Sequence, residues 1–539
     1  MKDARDPGLG KHIIRINSTP VRFVERAVDR AGEGKVVPVD QNVNEDPQEV
    51  DIPFVWRVFM GIVLAASGAF MFTLAFPPYD VWQLAFFWVV PVMVAVHRIM
   101  PTRLSGVAMG IGVGGFFWGY FAGMFSGYWF MQWLPVFIGI TAALTSWRER
   151  RFHARTGYRW MVLHGAFMWV GVEMIRGFIP VIGTWGFAAY TLYEQPWLIQ
   201  PVSVFGIYGM SLIIMLFNFA CAKFIIAEID KRWIFECDDY LICRKQALRW
   251  FGAVCVLLIL WTVMSAAMYR SPEPELTTAA VQPAAYISPE TDAEGIERGL
   301  AMIKQQTIEA AEQGARFIVW PEAFLPFDPQ EKETSFFQQL SAETGAYLTL
   351  GYGVQTEKGL RNEATVLSPE GEFLGVFGKD HPVVFAGETS ITRGTYPVHD
   401  TSIGGVGTII CYDLDFTDTA RKVARNGAQI IGVPSWDWPS VAHKHYSHVV
   451  FRAVENRAAM VKADTAYDSA VIDPYGNIVQ KHVSSEPEAV VVVGSVALFE
   501  GETVNMMLGD WVGWISLVGM MFFTGFALYT AKSLKAEDQ

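Results

Sequence analysis

The sequence predicts a polytopic α-helical membrane domain joined to an α/β domain that lies outside the membrane. Apolar runs recur between residues 54 and 269 and return once near residue 520, each close to the roughly 20 residues that a helix needs to cross a bilayer. The long polar segment between them alternates short β-branched runs with helical patterns. That alternation is typical of layered α/β sheets.

Composition supports the membrane assignment and excludes several functions. Of the 539 residues 52% are hydrophobic, and the mean hydropathy of +0.25 is too apolar for a soluble enzyme of this length. The net charge of −12 does not favour a nucleic-acid partner, and the sequence has no phosphate-binding Gly-rich loop and no paired cysteines at zinc-ligand spacing. We therefore set aside nucleic-acid and zinc-finger functions.

The hydropathy pattern divides the chain into four segments. Residues 1–52 predict a disordered cytoplasmic extension, 53–270 a membrane domain with seven transmembrane helices, 271–508 the polar domain, and 509–539 a last transmembrane helix with a short cytoplasmic tail. The predicted spans are 54–76, 81–98, 104–125, 130–146, 158–178, 198–227, 248–269 and 510–530.

Basic residues in the short loops predict the orientation. Lys and Arg concentrate at 97–103, 147–159, 231–245 and in the C-terminal tail, whereas the intervening loops hold none. This places both termini in the cytoplasm and the polar domain outside, and it requires all eight spans, including the weak fourth one. On the third span, glycines spaced four apart predict close helix packing rather than lipid binding: Gly106, Gly110 and Gly114.

The polar domain has the pattern of an α/β fold. Its strand-like runs alternate with helical patterns at 292–314, 333–343, 415–425 and 441–462. Two turns, SPEGE at 368–372 and DPYGN at 473–477, predict hairpins between short strands; the strand-like runs are LTTAAV, RFIVWP, YLTLGYG, EATVLS, EFLGVFG, VGTIIC, AQIIGV, SAVIDP and AVVVVG.

One cysteine in the polar domain, Cys411, is a candidate nucleophile. It ends the β-branched run in GTIICYDLDF, so the fold delivers the thiol to a strand end. A buried core thiol would give the same local pattern. Two charged residues favour the catalytic interpretation: Glu322 follows RFIVWP, and Lys379 follows EFLGVFG. A carboxylate can deprotonate the thiol, and an ammonium can stabilise a developing oxyanion.

The three residues occur in the order Glu, Lys, Cys within WPE, GKDH and CYD, and this resembles the catalytic triad of the nitrilase (carbon-nitrogen hydrolase) superfamily. FPPYDVWQLAFFWVVPV at 76–92, VEMIRGF at 172–178 and QPVSVFGIYGMSLIIMLFN at 200–218 resemble spans of the bacterial apolipoprotein N-acyltransferase family. The resemblance covers most of the chain from about residue 54.

The family resemblance implies an α-β-β-α sandwich on an eight-helix bundle in the bacterial inner membrane, with the catalytic domain on the periplasmic side. It implies a ping-pong reaction without a cofactor or metal. Cys411 would take a fatty acyl chain from a phospholipid as a thioester, with Glu322 as general base and Lys379 as oxyanion stabiliser. The α-amine of a diacylglyceryl-cysteine lipoprotein would then accept the chain. We expect a monomer.

Several positions match the family less closely. Glu388 corresponds to a second family glutamate at a spacing one residue longer, and Asp413 after Tyr412 stands where the family usually has glutamate. The loop Pro434, Ser435, Trp436, Asp437 and Trp438 departs from the family pattern. The residues predicted to support catalysis or bind substrate are Glu388, Tyr412, Asp413, Trp436 and His445.

Two further interpretations remain open. The cluster His443, His445 and His448 resembles a metal site, but on a helix these positions do not share one face, so a structural or substrate-positioning role is favoured. As a second function, a membrane-anchored amidase would resolve its thioester with water, and the altered loop supports that alternative. A lipid-binding protein with a spent triad is disfavoured because all three residues are present.

Overall fold

A computed structural model describes two units of the chain, residues 1–46 and residues 47–539. The described residues are 15–16, 19–20, 48–124, 128–235 and 241–537. In the first unit, strands β1 (Arg15–Ile16) and β2 (Thr19–Pro20) pair antiparallel. Most of the predicted disordered extension therefore lies outside the described residues. In the second unit, β3 (Gln48–Val50) pairs parallel with β4 (Trp233–Phe235).

Apolar helices form the membrane domain. The second predicted span is composite, because the 3₁₀ turn Trp82–Phe86 precedes its α-helix and the π-turn Ala95–Ile99 follows it. The helices are α1 (Phe54–Leu74), α2 (Val89–Val94), α3 (Ser105–Tyr120), α4 (Leu134–Ser146), α5 (Glu149–Arg155), α6 (Met161–Arg176), α7 (Pro196–Ile199), α8 (Val202–Arg232), α9 (Arg244–Met268) and, after the polar domain, α15 (Trp511–Glu537).

Among the described residues, five helical segments are long and apolar enough to cross a bilayer: α1, the composite Trp82–Ile99, α8, α9 and α15 over Trp511–Thr530. The other three predicted spans coincide with α3, α4 and α6, which have 16, 13 and 16 residues. Each predicted span therefore contains a helix, and three of these helices are shorter than the 20 residues expected for a straight crossing.

Helices α3 and α4 approach each other at their glycines. A Cβ atom on Gly110 would lie 2.7 Å from the carbonyl oxygen of Gly139, and one on Gly114 would lie 2.8 Å from the Gly139 Cα atom. Backbones this close leave no room for a side chain, and van der Waals contact along small residues drives helix association in membranes. The prediction of close helix packing is confirmed.

The polar domain supplies the remaining elements. Its helices are α10 (Ala293–Glu312), α11 (Thr334–Thr344), α12 (Thr417–Arg425), α13 (Pro439–Asn456) and α14 (Val504–Leu508). Its strands are β5 (Leu276–Pro283), β6 (Phe317–Val319), β7 (Tyr347–Thr356), β8 (Gly359–Leu367), β9 (Phe373–Gly378), β10 (Val398–Thr401), β11 (Gly404–Thr408), β12 (Ile430–Ser435), β13 (Ala459–Asp464), β14 (Asp468–Ile472), β15 (Ile478–Val483) and β16 (Ala489–Val496).

Two six-stranded sheets pack face to face between helices. Their strand orders are β16-β5-β6-β7-β8-β9 and β10-β11-β12-β13-β14-β15, with parallel pairing at the centre of each and antiparallel pairing at the edges. Phe317 and Val319 of one sheet and Val461 and Val471 of the other belong to a single buried apolar cluster. Helices α10 and α13 lie against opposite sheets, so the domain has α-β-β-α layers.

One predicted helix is wrong at its C-terminal end. The pattern at 441–462 predicted a single helix, but α13 ends at Asn456, Arg457 takes a left-handed φ of 49°, and β13 follows. Every residue of β13 is buried, including Lys462 and Asp464, so its sequence AMVKAD does not alternate regularly between apolar and polar residues, and periodicity alone cannot distinguish it from a buried helix. Both predicted hairpins are confirmed, since β8 pairs with β9 and β14 with β15.

Hydrogen bonds join the polar domain to the membrane domain. At the non-helical Gly206 within α8, the N–H of Ile207 donates to Glu455 Oε1 (2.8 Å). Arg457 donates to Gln200 Oε1 (2.7 Å). These bonds hold α13, and with it one wall of the candidate site, in a fixed position over the helices.

Candidate active site

Cys411 lies where the backbone leaves strand β11. The next residue after the strand, Ile409, still donates its N–H to the Gly432 carbonyl oxygen (3.1 Å). The chain then turns, because Cys411 has a positive φ of 45° and begins the 3₁₀ helix Cys411–Asp415. Non-glycine residues hold such strained conformations mostly where function requires them. The predicted position of the thiol, just beyond a strand end, is confirmed.

The carboxylate of Asp413 fixes this turn. It accepts the N–H of Ile410 (3.0 Å) and the N–H of His381 (2.8 Å), which joins the cysteine turn to the loop after β9. Asp413 is fully buried. Its contacts position the backbone on both sides of Cys411, which is a supporting geometry for a residue predicted to support catalysis or bind substrate.

Glu322 and Lys379 form a buried ion pair beside the cysteine turn. Glu322 follows β6 by three residues, and Lys379 directly follows β9. Lys379 Nζ lies 2.7 Å from Glu322 Oε1, and the two side chains are 2% and 5% exposed. The two residues are far apart in the sequence, but β6 and β9 both end at the same edge of their sheet.

Two more polar residues, Glu388 and Asn362, contact the ion pair. Lys379 Nζ also lies 2.9 Å from Glu388 Oε2, so the ammonium contacts both carboxylates. Asn362 in β8 donates to Glu322 Oε1 (2.6 Å) and to Glu388 Oε1 (2.7 Å). Glu388 therefore lies in the site as predicted, although it follows Lys379 by one residue more than in the family pattern. Asn362 also belongs to the site, and no sequence pattern indicated it.

Burial and neighbouring charges shift the pKa of each group. Burial raises the pKa of the Glu322 carboxyl, against the effect of Lys379. Burial works to lower the pKa of Lys379, but Glu322, Cys411 and Glu388 together raise it well above its usual value. Burial, Glu322 and Asp437 raise the pKa of the Cys411 thiol well above its usual value. The resting site therefore holds a protonated thiol and a charged ammonium, and Glu322 is a carboxylate suited to accept a proton.

Asp437 lies on another side of the thiol. Its Oδ1 atom is 3.7 Å from Cys411 Sγ, within the distance of a weak S–H hydrogen bond. The Asp437 carboxylate also contacts His445 Nδ1 (2.7 Å) and Lys462 Nζ (2.9 Å). Although burial works to raise it, His445 and Lys462 hold the pKa of Asp437 well below its usual range, so this carboxylate is ionised.

His445 connects Asp437 to a second buried carboxylate. Its Nε2 atom lies 3.5 Å from Asp415 Oδ1, and burial works to lower its pKa, but Asp437 and Asp415 raise it to about 10. His448 Nδ1 also contacts Asp415 Oδ1 (2.5 Å), and the indole N–H of Trp185 donates to Asp415 Oδ2 (2.7 Å). His445 and His448 thus belong to a series of polar contacts that reaches the membrane domain through Trp185.

A cavity of about 450 Å³ opens at the thiol between the two domains. Tyr412 and Trp436 line it as predicted, and the Tyr412 hydroxyl donates to the Pro180 carbonyl oxygen (3.1 Å). Apolar side chains from both domains form the rest of its wall: Phe121, Met124, Tyr128, Val181, Ile182, Val383, Phe385, Trp438 and Val441. An apolar cavity with a few convergent polar groups is the usual form of a binding site, and this one suits an acyl chain.

The sequence contained a signal for one of the missed residues. Asp437 follows the end of β12 by two residues, so the rule that identified Glu322 and Lys379 applies to it as well. Asn362 lies inside β8, where the pattern gives no sign of a polar role. The contact of Trp185 with Asp415 joins residues 230 positions apart, which no local pattern indicates.

Two family models match the chain. The apolipoprotein N-acyltransferase N-terminal domain matches residues 68–220, and the carbon-nitrogen hydrolase model matches residues 277–497. The first match lies within the membrane domain, from α1 to α8, and the second covers the layered domain that carries Cys411.

Curated relatives extend across both domains. The chain is 27% identical over 386 residues to an apolipoprotein N-acyltransferase of Geobacter metallireducens, covering 65% of this chain and 71% of the relative. It is 22% identical to one of Thermosynechococcus vestitus, covering 85% and 93%. A solved amidase of Nesterenkonia sp. aligns with 42% of this chain and 91% of its own, at 21% identity and a TM-score of 0.35. The two matched domains and these relatives together support an apolipoprotein N-acyltransferase in the carbon-nitrogen hydrolase superfamily.

Proposed function

We propose that this chain transfers a fatty acyl group from a phospholipid to the N-terminal amine of a diacylglyceryl-cysteine lipoprotein. The observation that carries this function is the wall of the cavity at Cys411, where six of the 23 lining residues belong to the membrane domain. A hydrolase of soluble amides has no use for a thiol that opens onto apolar side chains of a membrane bundle. An enzyme whose donor and acceptor are both anchored in lipid needs this arrangement.

In the first half-reaction, Cys411 takes the acyl group. Glu322 accepts the proton of the thiol, and the sulfur attacks the ester carbonyl carbon of the phospholipid. Lys379 stabilises the negative charge that develops on the carbonyl oxygen. When the tetrahedral intermediate collapses, the ester C–O bond breaks and Glu322 returns its proton to the leaving oxygen. The products are a thioester on Cys411 and a lysophospholipid.

In the second half-reaction, the neutral α-amine of the lipoprotein attacks the thioester carbon. Lys379 again stabilises the oxyanion, Glu322 takes a proton from the attacking nitrogen, and the C–S bond breaks. The proton passes to the departing sulfur, which restores the Cys411 thiol and leaves the acyl chain as an amide. The apolar wall excludes water from the cavity, which protects the thioester from hydrolysis.

We also propose a membrane topology that suits this reaction. We place residues 53–270 in the membrane as seven helices, residues 271–508 on the periplasmic side as the catalytic domain, and residues 509–539 as the eighth helix and its tail. Both termini then lie in the cytoplasm, as the basic loops predict. The cavity is level with the outer leaflet, from which a phospholipid chain can enter sideways. We propose that the enzyme acts as a monomer.

Product analysis tests the function. Detergent-purified chain is mixed with a phospholipid whose acyl chain carries an isotope label and with a diacylglyceryl-cysteine lipopeptide. We expect labelled amide on the lipopeptide together with lysophospholipid, loss of both products in Cys411→Ala, and normal turnover in Cys255→Ala, a matched control on α9. Labelled free fatty acid without labelled lipopeptide would support the amidase-like hydrolase in place of the transferase.

A further inference from the structure

A compact group of two histidines and a glutamate lies outside the active site, where α5 meets α6. Glu149 and His153 are one turn apart on α5, and His164 is in the first turn of α6. Glu149 Oε1 lies 3.7 Å from His153 Nε2 and 4.0 Å from His164 Nδ1. All three donor atoms lie within 4.8 Å of one another. The side chains therefore converge on one point.

Burial makes this convergence costly unless the groups bind something. His153 is fully buried and His164 is 8% exposed. Among the described residues, neither ring nitrogen of His153 has a hydrogen-bond partner, and Nδ1 of His164 has none either. A buried polar group without a partner destabilises the folded state. Such groups in a native structure call for a specific explanation, and an ion is one of the recognised ones.

The surrounding cations are already engaged. Arg98 forms two hydrogen bonds with the Asp230 carboxylate, at 2.5 and 2.7 Å, and Arg150 donates to the Met100 carbonyl oxygen (2.8 Å). The Glu149 carboxylate pairs with His153 and His164 instead, so its negative charge can neutralise a bound cation. The imidazole of His97 lies at the edge of the group, with its ring centroid 5.7 Å from that of His153.

Two imidazole nitrogens and one carboxylate oxygen are a common set of protein ligands for zinc, with the fourth coordination position left open. Around a tetrahedral zinc ion with bonds of roughly 2.0–2.2 Å, ligand atoms are about 3.3–3.5 Å apart. The observed 3.7 and 4.0 Å separations exceed this spacing by about 0.2–0.7 Å, and the third separation lies within 4.8 Å, so the side chains must rotate inward by up to about 1.5 Å to close on an ion. We propose that Glu149, His153 and His164 bind a divalent transition-metal ion of the zinc class, which fixes α5 against α6.

Cobalt binding tests this site, because a four-coordinate Co²⁺ ion has visible d–d absorption. The detergent-purified full chain is stripped with EDTA and titrated with Co²⁺. We expect one Co²⁺ per chain, without a thiolate charge-transfer band, and full displacement by Zn²⁺. His153→Gln and Glu149→Gln should each weaken Co²⁺ binding more than about tenfold. The matched control is His445→Gln, which alters the other buried group of His and Asp and should leave Co²⁺ binding unchanged.

A second measurement needs no variant. Zn²⁺ added to the stripped wild-type chain should slow amide hydrogen exchange in α5, measured by mass spectrometry of peptides that cover residues 149–164. Absence of Co²⁺ binding by the wild-type chain, or unchanged exchange in α5 on Zn²⁺ addition, would overturn the proposal. So would Co²⁺ binding that is lost in His445→Gln and retained in a folded His153→Gln, because the ion would then occupy the group around Asp415.

Discussion

Asp437 Oδ1 lies 3.7 Å from the sulfur of Cys411, and the carboxylate is kept ionised by His445 and Lys462. The thiol thus has an anion on the Asp437 side and the Glu322–Lys379 pair beside its turn. An anion near a thiol disfavours the thiolate. Asp437 therefore opposes ionisation of Cys411 until Glu322 takes the proton.

The first prediction follows from that contact. Asp437→Asn removes the negative charge, so the pKa of the Cys411 thiol should fall, and its alkylation by iodoacetamide should reach half-maximal rate at a lower pH. Intact mass measured after timed alkylation gives this pH profile. An unchanged profile, or a shift to higher pH in a variant that elutes as a folded chain, would show that Asp437 does not act on the thiol.

The second prediction concerns the general base. Glu322→Gln keeps the shape of the side chain but cannot accept the thiol proton, so thioester formation from phospholipid should slow by about 100- to 10,000-fold. Quenched-flow sampling with intact-protein mass spectrometry measures this rate. Glu343→Gln, at a half-exposed glutamate paired with Lys304, is the matched control and should react at the wild-type rate. A normal rate in Glu322→Gln would remove this residue from the mechanism.

The third prediction is a loss of stability at high pH. The folded-state pKa of His445 is raised to about 10, whereas an unfolded histidine has a pKa near 6.5. The proton on His445 thus stabilises the fold fully below about pH 6.5, and this contribution, at most about 5 kcal/mol, is lost as the pH rises towards 10. The Tm of the wild-type chain should fall between pH 7 and 10, and His445→Gln should show a flatter profile. Parallel Tm profiles would contradict this assignment.

The fourth prediction tests helix packing. Gly110→Ala places a methyl group 2.7 Å from the Gly139 carbonyl oxygen, so α3 and α4 must separate, and we expect a cost of about 1–3 kcal/mol. Gly252→Ala is the matched control, because a Cβ atom there meets nothing within 4 Å. In detergent, the Tm of Gly110→Ala should be lower than that of the wild-type chain, and the Tm of Gly252→Ala should be unchanged. Equal Tm values would mean that the two helices can move apart without penalty.

Sequence patterns predicted those parts of the site that depend on local structure. Glu322, Lys379 and Cys411 each follow a strand-like run, and strand ends in a layered sheet meet at one edge. The contacts that complete the site depend on long-range register instead. Asn362 reaches Glu322 because β7 pairs with both β6 and β8, and Trp185 reaches Asp415 because a membrane loop docks on the cysteine turn. No periodicity in the sequence encodes either contact.

The reach of local sequence patterns also decides which elements of the fold are predicted correctly. Hairpins with clear turn residues, such as the one at 473–477, were predicted because their signal is local. Strand β13 was assigned to a helix because it is buried on both faces and lacks alternation. The short helices α3, α4 and α6 were predicted as full spans because apolar composition continues into the turns beyond them.

Intact-protein mass spectrometry of the acyl intermediate tests the central claim most directly. The purified chain is incubated with phospholipid, and the lipopeptide is added after the phospholipid has been removed. We expect a mass increase of one fatty acyl group on Cys411, followed by its loss as the same acyl group appears on the lipopeptide amine. If no acyl adduct forms on Cys411, or if the adduct is released only as free fatty acid, the chain is not a transferase that works through this thiol.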